Sequence, residues 1–299
     1  LDIALHPDFA NNSLLYFSYS KPDVQDPALA TTAVARARWD GARLNDVQDI
    51  FVGEAWYSPA ISRENGRCCG QPPSDVSYGS RLEFDAEGHL FLTLGDRGWG
   101  EMAQEGMVHM GKIVRINDDG SVPADNPFIG QQGYHPTLWT LGHRNPLGLA
   151  INPGNGDIWA AEFGPSGGDE LNLIQKGANY GWALVSKGVH YSGDLTPLGH
   201  DSPPGMEEPV LYWVPSINPG NLAFYNADAF PAWKGNLLMS TLSGSVRRFT
   251  FDDNGKPVEA ERMLSEIAQR FRDITVGPDG YLYLLTDEPD GVMLQVRPQ

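Results

Sequence analysis

One pattern recurs five times along this 299-residue chain. Each copy is a short run of alternating apolar residues, a turn rich in Pro, Asp, Asn and Gly, and a second apolar run. The copies read DIALHPDFANNSLLYFSYS, RLEFDAEGHLFLTLGD, LGLAINPGNGDIWAAEFG, LAFYNADAFPAWKGNLLMST and DITVGPDGYLYLLTDE. Alternation with a period of two around such turns is typical of β-hairpins. The sequence therefore predicts an all-β fold made of repeated units.

The spacing of the repeats favours a β-propeller. Their first apolar residues lie near Ile3, Leu82, Leu149, Leu222 and Ile274. Most copies are followed by further strand-like runs such as TAVARARWD, HMGKIVRIN and VRRFTF, so that each repeat has about four strands, as in a propeller blade. A β-sandwich array is the alternative, but it does not account for the regular hairpin starts. We predict a single propeller domain over residues 1–299.

The last repeat has only three candidate strands, and no spare strand precedes Leu1. In a closed propeller the last blade is commonly completed by a strand from the other terminus. We therefore expect that a first blade and the closing strand are absent from this N-terminally truncated chain. Closure as five blades is the other reading.

Composition excludes some partners. The 34 glycines and 23 prolines, in a chain that is 41% apolar, fit many short strands better than long helices. A net charge of −17 argues against a nucleic-acid partner, because phosphate binding needs a basic face. No run approaches the roughly 20 apolar residues of a membrane span. The adjacent Cys68 and Cys69 are either loop thiols or a vicinal disulfide, and a metal site is less favoured because no other cysteine exists.

Polar residues cluster where the predicted strands begin and end, which is where propellers bind ligands. Arg144 and Asn145 precede the first strand of one repeat. Arg270 and Arg272 lie on one side of an extended segment, with Phe271 on the other, and form a fork suited to carboxylates or phosphates. The alternative is that the two arginines are ordinary surface residues paired with Asp273 or Glu266.

The segment GPSGGDELN combines backbone carbonyls with carboxylates. Gly164 and Pro165 open an irregular loop, and Asp169 and Glu170 follow it. Hard cations prefer this mixture of oxygen ligands. A turn with a solvated acidic pair is the other interpretation.

The long motif LGHRNPLGLAINPGNGDIWAAEFGPSGGDELNLIQKGANYGW resembles the soluble PQQ-dependent aldose sugar dehydrogenases, also called glucose/sorbosone dehydrogenases. LDIALHPDF, SRLEFDAEGHLFLTLGDRG, GKIVRINDDGSVPADNPF and QRFRDITVGPDGYLYLLTDE extend the resemblance over essentially the whole chain. The resemblance implies a six-bladed β-propeller of the soluble quinoprotein glucose dehydrogenase type. It also implies PQQ and Ca²⁺ as cofactors, and oxidation of aldose sugars at C1 to lactones with hydride transfer to the quinone. An external electron acceptor, a monomer or homodimer, and a periplasmic or secreted location follow in the same way.

The resemblance also assigns roles to single residues. Arg144 and Asn145 match the pair beside the ortho-dione of the quinone, and Gly164 and Pro165 match the carbonyls that hold the active-site calcium. Arg270 and Arg272 match the arginines that bind PQQ carboxylates. The remaining matches are Asp96, which orients the catalytic histidine, and Glu170 with the backbone of Tyr180, in a second, structural calcium site.

Two positions depart from the family pattern. Ser77 stands where the family has its general-base histidine, and a serine has no pKa near neutrality. Ser243 stands where a lysine helps to bind PQQ. One explanation is that the segment ENGRCCGQPPSD shifts the register so that Asp75 acts as the base. The others are a changed substrate or cofactor, or a catalytically silent propeller that binds a sugar or a protein. A lactonase-type hydrolase is a weaker alternative, because it would need side-chain ligands around its metal.

The loop SKGVHYSGDLTPLGHDSPPGMEEP is the expected specificity element by its position alone. Its His190, Tyr191 and His200 are predicted to be surface residues.

Overall fold

The structure, a computed structural model, describes residues 1–57 and 76–298. These residues form five sheets in which each strand pairs with the next along the chain. The first sheet consists of β1 (Asp2–Leu5), β2 (Leu14–Pro22), β3 (Ala30–Trp39) and β4 (Leu44–Val52). The second consists of β5 (Gly79–Phe84), β6 (Leu90–Leu94), β7 (Lys112–Ile116) and β8 (Leu138–Leu141). The third consists of β9 (Pro146–Ile151), β10 (Ile158–Glu162), β11 (Asp169–Ile174) and β12 (Leu211–Trp213).

The fourth sheet consists of β13 (Pro219–Tyr225), β14 (Asn236–Thr241), β15 (Ser245–Phe251) and β16 (Pro257–Met263). The fifth has three strands among the described residues, β17 (Phe271–Val276), β18 (Leu282–Thr286) and β19 (Met293–Val296). The helical elements are short: α1 (Phe9–Asn12) and single 3₁₀ turns at Gly100–Gln104, Pro231–Trp233 and Ser265–Ile267. None of the helices in the described ranges is long and apolar enough to cross a membrane.

The predicted hairpin starts are confirmed. The five repeats begin in β1, β5, β9, β13 and β17, each of which is the first strand of a sheet. The three-stranded last repeat is confirmed as well. Local alternation gives these starts because side chains on a strand face opposite sides in turn.

The chain divides into two compact units. The first unit, residues 1–146 and 175–208, holds the first two sheets, and the second unit, residues 147–174 and 209–299, holds the other three. In the first unit, β6 is buried along its whole length and packs in a core with Val114 and Leu138. In the second unit, Trp159 and Leu237 lie in one core cluster and Leu238 and Phe271 in another.

One face of the first sheet exposes apolar side chains. Leu1, Ile3 and Leu5 are 63%, 70% and 54% exposed, and they line a cavity of about 680 Å³ together with Trp39 and Leu44. Exposed apolar surface of this extent is unusual on an isolated domain and marks a contact surface.

The predictions for Cys68, Cys69 and Asp75 concern residues that lie outside the described ranges.

Candidate active site

A buried carboxylate organises the polar residues of the first unit. Asp96 follows β6 and is 2% exposed. Its Oδ1 accepts a hydrogen bond from the backbone N–H of Gly98 at 2.7 Å, and its Oδ2 accepts one from the indole Nε1–H of Trp182 at 2.8 Å. Burial raises the pKa of Asp96, whereas the charge of Arg144 and these hydrogen bonds act to lower it. The carboxylate is therefore held by donors of the protein itself.

Arg144 is a buried cation beside this carboxylate. It is 4% exposed, and its carbonyl accepts a hydrogen bond from the Asp96 backbone N–H at 2.7 Å. Its guanidinium carbon lies 5.5 Å from the ring centroid of Trp182, and Nη2 donates to the hydroxyl of Tyr191 at 3.3 Å. A guanidinium with little water around it is a strong hydrogen-bond donor to an anionic oxygen.

Asn145 is fixed through its carbonyl oxygen. Oδ1 accepts a hydrogen bond from the backbone N–H of Gly79 at 3.0 Å. A β-carbon on Gly95 would lie 2.0 Å from the carbonyl oxygen of Ser77 and 2.9 Å from Oδ1 of Asn145, so only glycine fits at this position. With Oδ1 used in this way, the amide NH₂ of Asn145 is the group suited to donate to a ligand.

Ser77 stands beside Asp96, where the family pattern has a histidine. Its backbone is in the left-handed region, with a φ of 58°, and its carbonyl accepts a hydrogen bond from the N–H of Arg97 at 3.2 Å. Its side chain acts to lower the pKa of the Asp96 carboxyl, against the effect of burial. The structure thus brings Ser77, Asp96, Arg144 and Asn145 together in the first unit.

Two further residues of this unit, His143 and Tyr180, are held by packing and hydrogen bonds. His143 is fully buried, with its ring stacked on Tyr180 at a centroid distance of 4.7 Å and its Nε2 at 2.9 Å from Oγ1 of Thr140. The hydroxyl of Tyr180 accepts a hydrogen bond from the N–H of Gln175 at 2.8 Å. His143 is therefore held in place by packing and a hydrogen bond.

In the second unit, the Gly164 loop is closed by Asp169. The Asp169 carboxylate accepts hydrogen bonds from the Gly164 N–H at 2.9 Å and from the Ser216 hydroxyl at 3.1 Å. It also accepts from the N–H groups of Ile217 and Asn218, both at 2.7 Å. Burial raises the pKa of Asp169, and these four hydrogen bonds lower it. The Asp169 carboxylate thus joins the Gly164 loop to residues 216–218 through four hydrogen bonds.

Glu170 has an acidic neighbour. It lies directly opposite Glu162 in the register of β10 and β11, and Asn172 donates Nδ2–H to both carboxylates at 3.1 Å. Like charges directly opposite each other on a sheet are destabilising. The Oδ1 of Asn172 is buried and has no hydrogen-bond partner among the described residues. Two carboxylates and an unpartnered amide oxygen are a donor set for a hard cation.

Arg270 and Arg272 converge on one carboxylate. Arg270 donates to Oδ2 of Asp287 at 2.9 Å through Nη2, and Arg272 donates to Oδ1 through Nε at 3.0 Å and to Oδ2 through Nη2 at 2.9 Å. Phe271 between them is fully buried, as the alternation predicts. The shared partner Asp287 lies farther along the chain than the sequence candidates Asp273 and Glu266. The two guanidiniums thus lie together around one shared carboxylate.

Ser243 lies in the turn between β14 and β15. It is exposed, and its hydroxyl donates to Oγ1 of Thr241 at 3.1 Å. Sequence reasoning missed Trp182, Asp287 and the Tyr191 contact with Arg144. Tyr191 is 51% exposed, as predicted for a surface residue, yet its hydroxyl reaches the guanidinium.

Comparison with known proteins gives the class and the family. The sequence profile described as "Glucose / Sorbosone dehydrogenase" matches residues 1–295. The aldose sugar dehydrogenase YliI of Escherichia coli is 39% identical, over all of this chain and 77% of its own length. The quinoprotein glucose dehydrogenase B of Acinetobacter calcoaceticus is 27% identical, over 98% of this chain and 73% of its own.

Solved structures agree. A glucose dehydrogenase crystal structure superposes with a TM-score of 0.89 at 40% identity, and covers 100% of this chain and 82% of its own. The PQQ-bound aldose sugar dehydrogenase of Streptomyces coelicolor has a TM-score of 0.73 at 23% identity, covering 99% and 79%. The fold class is thus an all-β propeller, to which the five sheets contribute as blades. The chain belongs to the glucose/sorbosone dehydrogenase family of sugar oxidoreductases.

Proposed function

We propose that this protein oxidises aldose sugars at C1 to lactones, with PQQ and Ca²⁺ as cofactors. The observation that carries the proposal is the buried cluster of Arg144, Asn145 and Asp96, fixed by Trp182. A quinoprotein relative and a PQQ-bound structure of the same fold support the cofactor. When bound, PQQ would accept the hydride from C1 of the sugar, and Ca²⁺ would polarise the quinone.

The residues of the chain fit these groups. PQQ carries carboxylates, and Arg270 and Arg272 bring two guanidiniums together at Asp287. Arg144 and the amide of Asn145 would donate hydrogen bonds to a quinone oxygen and stabilise negative charge there. The carbonyls of Gly164 and Pro165 would hold the active-site calcium, since Asp169 is occupied. Glu170, with Glu162, Asn172 and the backbone of Tyr180, would serve the structural calcium.

The proton of the anomeric hydroxyl needs an acceptor. Ser77 beside Asp96 would receive it only as a relay, because a serine alone is a poor base. Asp75 remains the other proposed base. Turnover below that of histidine-containing relatives is therefore part of the proposal. The silent-propeller alternative depends only on Ser77 and Ser243, and membership of a dehydrogenase family does not favour it.

The finer architecture and setting are proposals too. The exposed face of Leu1, Ile3 and Leu5 would be covered by a further blade, giving six in all. The enzyme would take an aldose as substrate and pass electrons to an external acceptor. It would act as a monomer or homodimer, in the periplasm or outside the cell.

Titration of PQQ into calcium-loaded protein, followed by a dye-linked assay over a panel of aldoses, tests the function. We expect micromolar PQQ binding and measurable turnover. Arg272→Gln should weaken PQQ binding, whereas Arg43→Gln, at an exposed position in the first unit, should not. Absence of PQQ binding at micromolar levels would remove the cofactor assignment.

A further inference from the structure

The second unit contains a cavity whose two arginines have no role in the proposed function. It has a volume of about 410 Å³ and lies between the 212–217 segment and the hairpin of β15 and β16. Its polar lining consists of two arginines and two serines, and two aromatic side chains form another part of the wall. These residues are Arg247, Arg262, Ser216, Ser243, Tyr212 and Trp213.

The two arginines are cross-strand neighbours whose two positive charges are not balanced by the one glutamate that binds one of them. Arg247 and Arg262 lie directly opposite each other in the register of β15 and β16. A like-charged pair in this position is destabilising unless an anion offsets it. Glu259 binds Nη1 of Arg247 at 2.6 Å, but Arg262 forms no ion pair with any residue in the described ranges. The pair therefore keeps a net positive charge at the cavity wall.

Burial of Arg247 strengthens the attraction of its positive charge for an anion. Arg247 is 8% exposed, and its Nε is buried without a hydrogen-bond partner among the described residues. Its guanidinium carbon lies 5.9 Å from the ring centroid of Trp213, which holds it against the wall. An under-satisfied, largely desolvated guanidinium binds a carboxylate more strongly than an exposed one does.

The serines favour a hydroxylated ligand over a bare anion. The hydroxyl of Ser216 donates to Asp169 and that of Ser243 donates to Thr241. With their hydrogens used, both oxygens present lone pairs to a ligand O–H. The rings of Tyr212 and Trp213 offer apolar surface for the C–H face of a sugar. The same Asp169 also binds Gly164, so this wall is joined to the proposed calcium loop.

We propose that the Arg247–Arg262 cavity binds an acidic monosaccharide, with the arginines on its carboxylate and the serine oxygens on its hydroxyls. The two arginines have no role in the proposed binding of PQQ or Ca²⁺, and the binding of the acidic sugar needs neither cofactor.

Isothermal titration of the cofactor-free full chain with glucuronate, glucose and inorganic phosphate tests this. We expect glucuronate to bind at least about tenfold more tightly than glucose, which lacks the charge, and than phosphate, which lacks the ring. Because the exposed Arg262 side chain forms no hydrogen bond or ion pair within the described residues, Arg262→Gln should fold normally and weaken glucuronate binding about tenfold or more. Arg262→Lys should restore most of it, and Arg43→Gln should leave it unchanged.

Equal affinity for glucuronate and glucose would overturn the proposal, as would unchanged binding in Arg262→Gln. Phosphate binding as tightly as glucuronate would show a plain anion site and overturn the sugar assignment. Since no cofactor is present, failure of this test and failure of the proposed dehydrogenase activity are distinguishable.

Discussion

Trp182 donates its indole N–H to Oδ2 of Asp96 at 2.8 Å, and its ring lies 5.5 Å from the guanidinium carbon of Arg144. One side chain thus contacts both the buried anion and the buried cation of the site. The same indole therefore lies against both charged groups.

Trp182→Phe should cost about 1.5–3 kcal/mol of unfolding free energy, because a buried carboxylate loses a donor. Trp159→Phe is the matched control: Trp159 is equally buried, but its Nε1 has no partner among the described residues. Its loss should be smaller by about 1 kcal/mol or more. Urea unfolding of both variants measures the difference, and equal losses would show that the hydrogen bond contributes nothing.

Ser77→His should raise the dye-linked turnover of aldoses by about 10²-fold or more, because general-base catalysis contributes 10²–10⁴. Histidine tolerates the left-handed backbone of this position better than most residues do. The rate should also gain an acidic limb near a pH of about 6.5, the ordinary pKa of histidine. Ser80→His, three positions along the same segment, is the control. A rise of similar size in both variants would argue against a base at position 77.

Burial lowers the pKa of His109 to about 3, and the charges of His135 and Lys112 act in the same direction. Its Nδ1 accepts from the Glu54 N–H at 2.8 Å, which requires the neutral ring. The unfolded chain takes up a proton near the ordinary pKa of about 6.5. Unfolding free energy should therefore fall as the pH drops from about 6.5, by up to about 1.4 kcal/mol per pH unit from this group.

Thermal unfolding between pH 7 and 5 measures that slope. His109→Gln should flatten it, whereas His190→Gln, in the loop after β11, should keep the slope of the unchanged protein. A slope that survives in His109→Gln would assign the acid sensitivity to other groups.

Glu170→Gln should stabilise the protein in the absence of calcium but reduce the stabilisation that calcium gives. In EDTA it should raise the unfolding free energy by a few tenths of a kcal/mol, because it relieves the opposition to Glu162. With calcium present, the unchanged protein should gain about 2.7 kcal/mol at 100-fold over the dissociation constant. Glu170→Gln should lose that part of the gain which belongs to the structural site, and Glu266→Gln, at an exposed acid of the second unit, should keep all of it. An equal calcium shift in all three proteins would exclude Glu170 as a ligand.

Local patterns predicted the sheets well. The five hairpin starts follow from alternation within a few residues, and the neighbourhood of Ser77 and Asp96 follows from the family resemblance. Contacts between segments that are distant in sequence could not be predicted from these patterns. Trp182 and Asp96 are 86 positions apart, and nothing in either segment predicts their hydrogen bond.

The arginine fork illustrates the same limit. Asp273 and Glu266 were the candidate partners because they are near in sequence, whereas the pairing of β17 with β18 puts Asp287 next to Arg270, whose carbonyl accepts the Asp287 N–H at 2.9 Å. Similarly, the composition of the Gly164 segment marks Asp169 as a cation ligand. Only the three-dimensional structure reveals that residues 216–218 use both of its oxygens.

The four hydrogen bonds of Asp169 have a consequence for redesign. Two loops that are separate in sequence are held by this one carboxylate. A change in the length of either loop must therefore leave the carboxylate in place, because otherwise both loops lose hydrogen bonds. Attempts to alter ligand preference should therefore start from Ser243 and Arg262, on the opposite wall, where substitutions leave the anchor untouched.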